Sequence, residues 1–115
     1  FCNGHTTISD ALWVDVPCVT KIGKQLAARV GASLLNAAGL TELITHTEKE
    51  YLGVISNLVA EPQKLKEKKK KLIMNKTHYP IFNTEKFTRN FENGLELALK
   101  DFNQRKTFKD IYIKE

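Results

Sequence analysis

Cysteine is nearly absent from this chain of 115 residues, which has only Cys2 and Cys18. Two thiols are too few for a disulfide scaffold and lack the spacing of a metal site, so both are expected to be free. No apolar run approaches the roughly 20 residues that a membrane span requires, and no charged-then-apolar signal segment opens the chain. These absences point to an intracellular, cytoplasmic protein with no membrane partner. Internal repeats, zinc-ligand spacing, a nucleophile elbow and a Walker loop are missing too. Methionine is as scarce: the chain begins at Phe1, its one methionine is Met74, and no strand precedes its first turn. It therefore reads as the tail of a longer protein, carrying one wall of a site.

What is present is ordinary for one soluble domain with a modest core, with 42% hydrophobic and 27% charged residues. The most informative stretch is the opening Phe1-Cys2-Asn3-Gly4-His5-Thr6-Thr7-Ile8-Ser9-Asp10, a small polar turn running into an apolar helical segment. A helix start carries unpartnered N–H groups and a partial positive charge, and anions settle there. Gly4 allows a ligand close to the main chain. Thr6 and Thr7 add hydroxyl donors for phosphate oxygens, and Asp10 lies on the same side of the first turn, where it can accept from a ribose diol. The spacing Thr7-x-x-Asp10 before an apolar run is also a plain capping box, and the pattern alone leaves both readings open.

Along the chain, Ile8, Ala11, Leu12 and Val14 give a short helix ended at Asp15-Val16-Pro17, with Trp13 at its edge. Pro17 to Thr20 reads as a brief buried strand, followed by a loop through Lys21 and Gly23. Helical spacing of Leu26, Ala27, Val30, Leu34, Leu35 and Ala38 predicts a helix over Lys24 to Ala38, capped by Gly39 in the left-handed conformation. Glu42 to Thr45 is a second short strand, and Thr47-x-x-Glu50 caps a helix that buries Tyr51, Leu52, Ile55 and Leu58. This alternation predicts an α/β fold with a parallel sheet and crossover helices.

Pro62 begins a further helix, whose Lys64 to Lys71 run holds six lysines and one glutamate, equal to the whole formal excess of +5. No arginine or aromatic residue interrupts it, so base-reading and stacking groups are missing and no nucleic-acid partner is expected; a solvated helix face is the simpler reading. Thr77-His78-Tyr79-Pro80 breaks the helix, and Asn83 caps a last one whose Phe87, Phe91, Leu95, Ala98, Leu99 and Phe102 form an apolar stripe expected to be core. Gly94 within that stripe suggests close approach by another element. His46 and His78 flank breaks and read as surface or capping residues.

Five blocks of the chain, in order, resemble the protein O-GlcNAc transferases: N-G-H-T-T-x-x-D-x-L-W at Asn3 to Trp13, P-x-V-T at Pro17 to Thr20, L-A-x-R-V-x-A-S at Leu26 to Ser33, G-L-x-E-L-I at Gly39 to Ile44 and F-N-T-x-x-F-T at Phe82 to Thr88. The resemblance implies a helix-rich fragment of the C-terminal Rossmann-like half of a GT-B glycosyltransferase. Residues 1–105 would form a partial nucleotide-sugar-binding domain lacking its N-terminal part and including a C-terminal helix over 84–104, with 106–115 a charged tail. The implied activity is inverting transfer of N-acetylglucosamine from UDP-GlcNAc to serine or threonine of acceptor proteins, without a metal or other cofactor. TPR-type helical repeats and the other GT-B half would lie upstream.

Carried over by position, Thr6 and Thr7 would hold the diphosphate with the helix-start amides, Asp10 would accept from the ribose, and His5 would sit against phosphate and sugar. Cys2 would lie near the acetamido group, with Asn3 and Gly4 shaping the turn. No catalytic residue is expected within the segment, which should be inactive alone. Departures fall at Ile8, Val14-Asp15 and Lys24-Gln25, and bear on the width of the pocket. The alternatives are a relative using GDP-fucose, since diphosphate and ribose contacts do not report base or sugar, and a non-enzymatic basic helical module acting through Lys64 to Lys71.

Overall fold

The structure is a computed structural model and describes residues 2–104 and 109–113. It divides into two compact units, Phe1–Ile81 and Phe82–Glu115. Phe1, 105–108 and 114–115 lie outside the described residues, and with them half of the expected 106–115 tail.

The first unit is built around a pair of parallel strands, β1 (Thr20–Lys21) and β2 (Ile44–Thr45), with Thr20 opposite Ile44 and Lys21 opposite Thr45. The Ile22 amide donates to the Thr45 carbonyl at 2.9 Å, and the buried Thr45 hydroxyl donates to the Thr20 carbonyl at 3.0 Å. The expected parallel α/β order is therefore present. Both strands are shorter and later than expected: Pro17 to Val19 do not pair, and Thr41–Leu43 forms a 3-10 turn ahead of β2.

α1 (Thr6–Trp13) buries Leu12 completely and ends in a Schellman turn: the Asp15 amide donates to Leu12 O and the Val16 amide to Ala11 O. Asp15 occupies the left-handed position at φ 64°. The helix expected over Lys24 to Ala38 is broken. Leu26–Ala28 is a 3-10 turn, and α2 (Val30–Ala37) begins only after Arg29. The reason is tertiary: the Asn3 amide donates to Ala27 O and the Gly23 amide to Ala28 O, both at 2.8 Å, and carbonyls held from outside do not serve an α-helical ladder. Leu26, expected in the core, is 80% exposed. Gly39 does cap α2 in the left-handed conformation, at φ 68°, with the Leu40 amide donating to Leu35 O.

α3 (Glu48–Ala60) starts as expected, with Thr47 Oγ1 accepting from the Glu50 amide at 3.1 Å. Glu50 reaches back to the His46 amide at 2.8 Å, and that bond holds its carboxyl below the usual range. Tyr51, Ile55 and Leu58 are half-buried, but Leu52 points to solvent. α4 (Pro62–Asn75) has Pro62 in its first turn and buries Leu72. Its lysine run is only partly a solvated face, because Lys68 and Lys71 both donate to Glu42 at 2.9–3.0 Å and Lys64 pairs with Glu61 at 2.7 Å. Leu12, Leu35, Leu40, Leu43 and Leu72, each at most 1% exposed, form the centre of this unit's core.

The second unit is α5 (Thr84–Asn103), preceded by a 3-10 turn at Pro80–Phe82 that straddles the division. Asn83 caps α5 by accepting from the Lys86 amide at 2.9 Å. Ile113 lies 3.8 Å from where a Cβ on Gly94 would stand, an ordinary contact. The apolar stripe is not core here: Phe87, Phe91, Leu95, Leu99 and Phe102 are exposed, with Phe87 and Phe91 stacked at 6.0 Å. An amphipathic pattern sets which face is apolar but not what covers it. No helix among the described residues is long and apolar enough to cross a membrane.

Candidate functional site

The opening turn is pinned rather than loose. The Asn3 amide donates to Ala27 O at 2.8 Å, Asn3 Nδ2 donates to the Lys21 carbonyl at 3.3 Å, and His5 Nε2 donates to the same Ala27 O at 3.2 Å. Two side chains thus tie the turn to the end of β1 and to the 3-10 turn before α2. Asn3 Oδ1 is buried and has no partner among the described residues. Gly31 of α2 lets these pieces close up: a Cβ there would stand 2.8 Å from Thr20 Oγ1, 3.0 Å from Ile8 Cδ1 and 3.3 Å from Asn3 Oδ1.

α1 then starts at Thr6 with His5 as its N-cap, and no side chain caps it. Thr7 lies inside the helix, so the capping box with Asp10 does not form. The Ile8 and Ser9 amides both turn back to His5 O at 3.2 Å, which leaves the Thr6 and Thr7 amides without a hydrogen bond among the described residues. Thr6, Thr7 and Asp10 are exposed. Gly4 has a particular local reason: a Cβ there would stand 2.7 Å from Thr7 Oγ1, so any side chain displaces that hydroxyl.

Cys2, Asn3 and Gly4 line a cavity of about 440 Å³ together with Ile8 and the β1 residues Thr20 and Lys21. His5, Thr6, Thr7 and Asp10 do not line it; they stand on the exposed helix start beside it. Cys2 Sγ is 3.8 Å from His5 Nε2, so the thiol and imidazole share one corner. Val19, Glu48 and Tyr51 complete the wall, and two of the lining side chains pair, Lys21 Nζ with Glu48 Oε1 at 3.0 Å. Sequence reading missed these last residues because they come from the chain around β1 and from α3, where Lys21 and Glu48 are 27 positions apart, and no local motif links them. His78 caps the end of α4, its Nδ1 donating to Met74 O at 3.1 Å, and His46 is exposed. Both cysteines are free thiols, and burial pushes the Cys18 thiol up. Among the described residues no three His, Cys, Asp or Glu side chains gather to hold a metal ion.

Together these features define an α/β segment that presents an unsatisfied helix start beside a small cavity at the edge of a parallel strand pair. The profile of glycosyl transferase family 41 matches residues 1–91, and the chain belongs to that family. It is 35% identical over 94 residues to a Caenorhabditis elegans UDP-N-acetylglucosamine-peptide N-acetylglucosaminyltransferase, covering 82% of this chain and 8% of the relative. Against the Hordeum vulgare protein named as a probable transferase of the same kind, SPINDLY, identity is 38% over 91 residues, covering 79% and 10%. Against the Arabidopsis thaliana protein named as a probable one, SEC, it is 36% over 94 residues, covering 81% and 10%. The chain therefore spans about a tenth of the length of these relatives.

Proposed function

We propose that the chain is the donor-binding segment of a cytoplasmic, inverting protein O-GlcNAc transferase, part of the C-terminal Rossmann-like half of a GT-B enzyme. The observation that carries this reading is the pair of exposed Thr6 and Thr7 amides with their hydroxyls, unsatisfied by protein at the first turn of α1. The names of the relatives, one a peptide N-acetylglucosaminyltransferase and two given as probable ones, support it. In this reading the UDP-GlcNAc diphosphate sits on Thr6 and Thr7, Asp10 accepts from the ribose hydroxyls, and His5 faces the phosphate and sugar. Cys2 lies by the acetamido group, and Asn3 and Gly4 hold the turn in shape.

UDP departs with growing negative charge. Donors fixed in advance at a helix start stabilise that charge more in the transition state than in the ground state, so the reaction needs no metal ion or other cofactor. The general base, the acceptor-protein groove, the other GT-B half and TPR-type repeats belong to the rest of the enzyme, and the segment alone turns over no donor. A basic nucleic-acid module is disfavoured by the engagement of Lys64, Lys68 and Lys71 with Glu61 and Glu42.

The test is calorimetric titration of the full-length protein with UDP-GlcNAc and with GDP-fucose. Tighter binding of UDP-GlcNAc is expected. Tighter binding of GDP-fucose would move the protein to the fucosyl alternative, and binding of neither would end the donor-site reading.

A further inference from the structure

We infer that Lys76 is a positioning residue for the donor site, acting from the far end of α1. It stands just past α4, and its ammonium lies 2.5 Å from Asp15 Oδ1, donates to the Trp13 carbonyl and sits 5.5 Å above the centre of the Trp13 indole. Three features of one helix end, 61 and 63 positions away in the sequence, meet on a single cation.

The need for such a tie follows from the helix itself. α1 has only eight residues, with Leu12 fully buried and Ile8 and Ala11 half-buried on its inner side, so few contacts set its direction. At the N-terminal end, Asn3 and His5 hold the turn to Ala27 and Lys21. At the C-terminal end the chain leaves through Asp15 in the left-handed conformation, at φ 64°. A cation there neutralises the Asp15 carboxylate, donates to the last-turn carbonyl of Trp13, and opposes the negative end of the helix dipole. Lys76 thereby fixes the aim of the Thr6 and Thr7 amides two turns away. This inference rests on the donor-site reading above.

The test measures UDP binding to the full-length protein in wild type, Lys76→Met, Lys76→Arg and the double variant Asp15→Gly/Lys76→Met. Methionine keeps an apolar stem against the indole and removes the charge. If the binding-competent orientation of α1 falls to about a tenth of the population, the apparent Kd for UDP rises about tenfold. Lys76→Arg should stay near wild type. The double variant should recover most of the loss, because glycine accepts the left-handed turn and no carboxylate is left stranded. Unchanged UDP affinity in Lys76→Met, or no recovery in the double variant, would overturn the inference.

Hydrogen exchange at the Asp15 and Val16 amides keeps the two readings separable. If wild type bound no UDP, the donor-site reading would fail, while faster exchange at those amides in Lys76→Met would still show the tie. Unchanged exchange would remove the tie as well.

Discussion

Two glycines inside helices should respond to alanine with opposite sign, and the contrast isolates the packing that builds the site. On propensity alone, glycine to alanine in a helix stabilises by up to about 1 kcal/mol. Gly53 in α3 meets nothing within 4 Å, so Gly53→Ala should gain close to that amount. At Gly31 the new methyl would lie 2.8 Å from the hydroxyl of Thr20, which is only 4% exposed, and 3.0 Å from Ile8. Ile8 can swing its terminal methyl, but Thr20 is branched at Cβ and enclosed, so β1 or α2 must move. Overpacking of this kind costs about 1–3 kcal/mol, which exceeds the propensity gain and leaves a net loss of about 1 kcal/mol. Native-state hydrogen exchange across α1 and α2 should then speed up about fivefold in Gly31→Ala, while α3 slows by a similar factor in Gly53→Ala. A Gly31→Ala variant as protected as wild type would show that the opening turn, β1 and α2 do not meet at this point.

Glu42 provides a pH-dependent contribution. Burial raises its pKa, but the Lys68 and Lys71 ammonium groups and a backbone amide outweigh that and bring it from 4.5 to about 2. A depressed carboxyl contributes its full stability above the ordinary value and loses it as pH falls from 4.5 towards 2. With partial exposure and screening, Glu42→Gln should cost about 1 kcal/mol at neutral pH and flatten that acid limb in urea melts; an unchanged limb would contradict the pairing. Gly39→Ala should cost more than about 2 kcal/mol, since the left-handed φ of 68° disfavours a side chain and the methyl would strike the Tyr79 ring. A urea midpoint within error of wild type would refute it. Thr47→Ala should cost about 1 kcal/mol through loss of the α3 cap, visible as loss of protection at the Glu50 amide.

Much of the fold was legible where one residue's chemistry sets the local conformation. Thr47 with Glu50, Pro62, Gly39 and Asn83 each mark an element end by a cap, a missing N–H or a left-handed φ. The parallel strand order followed from alternation with helices. What escaped was decided by partners distant in sequence. Arg29 rather than Lys24 precedes α2 because Asn3 and Gly23 occupy the carbonyls of Ala27 and Ala28. The same holds for Asp15, whose left-handed turn is matched by a lysine 61 positions on. In the candidate site the helix start was legible from Gly4, Thr6 and Thr7, but the cavity wall at Val19, Lys21, Glu48 and Tyr51 was not. The α5 stripe was legible as an apolar face and illegible as to what it meets, because periodicity carries no information about a partner.

The proposed donor site places a pyrophosphate on the first turn of α1. Calorimetry of UDP binding to the full-length protein, wild type against Thr6→Ala, Thr7→Ala and the double variant, tests it most directly. Each hydroxyl donating to a charged phosphate is worth about 1.5–3 kcal/mol, so each single variant should weaken UDP at least about tenfold, and the double variant further. UDP affinity unchanged in the double variant would mean that the nucleotide binds elsewhere.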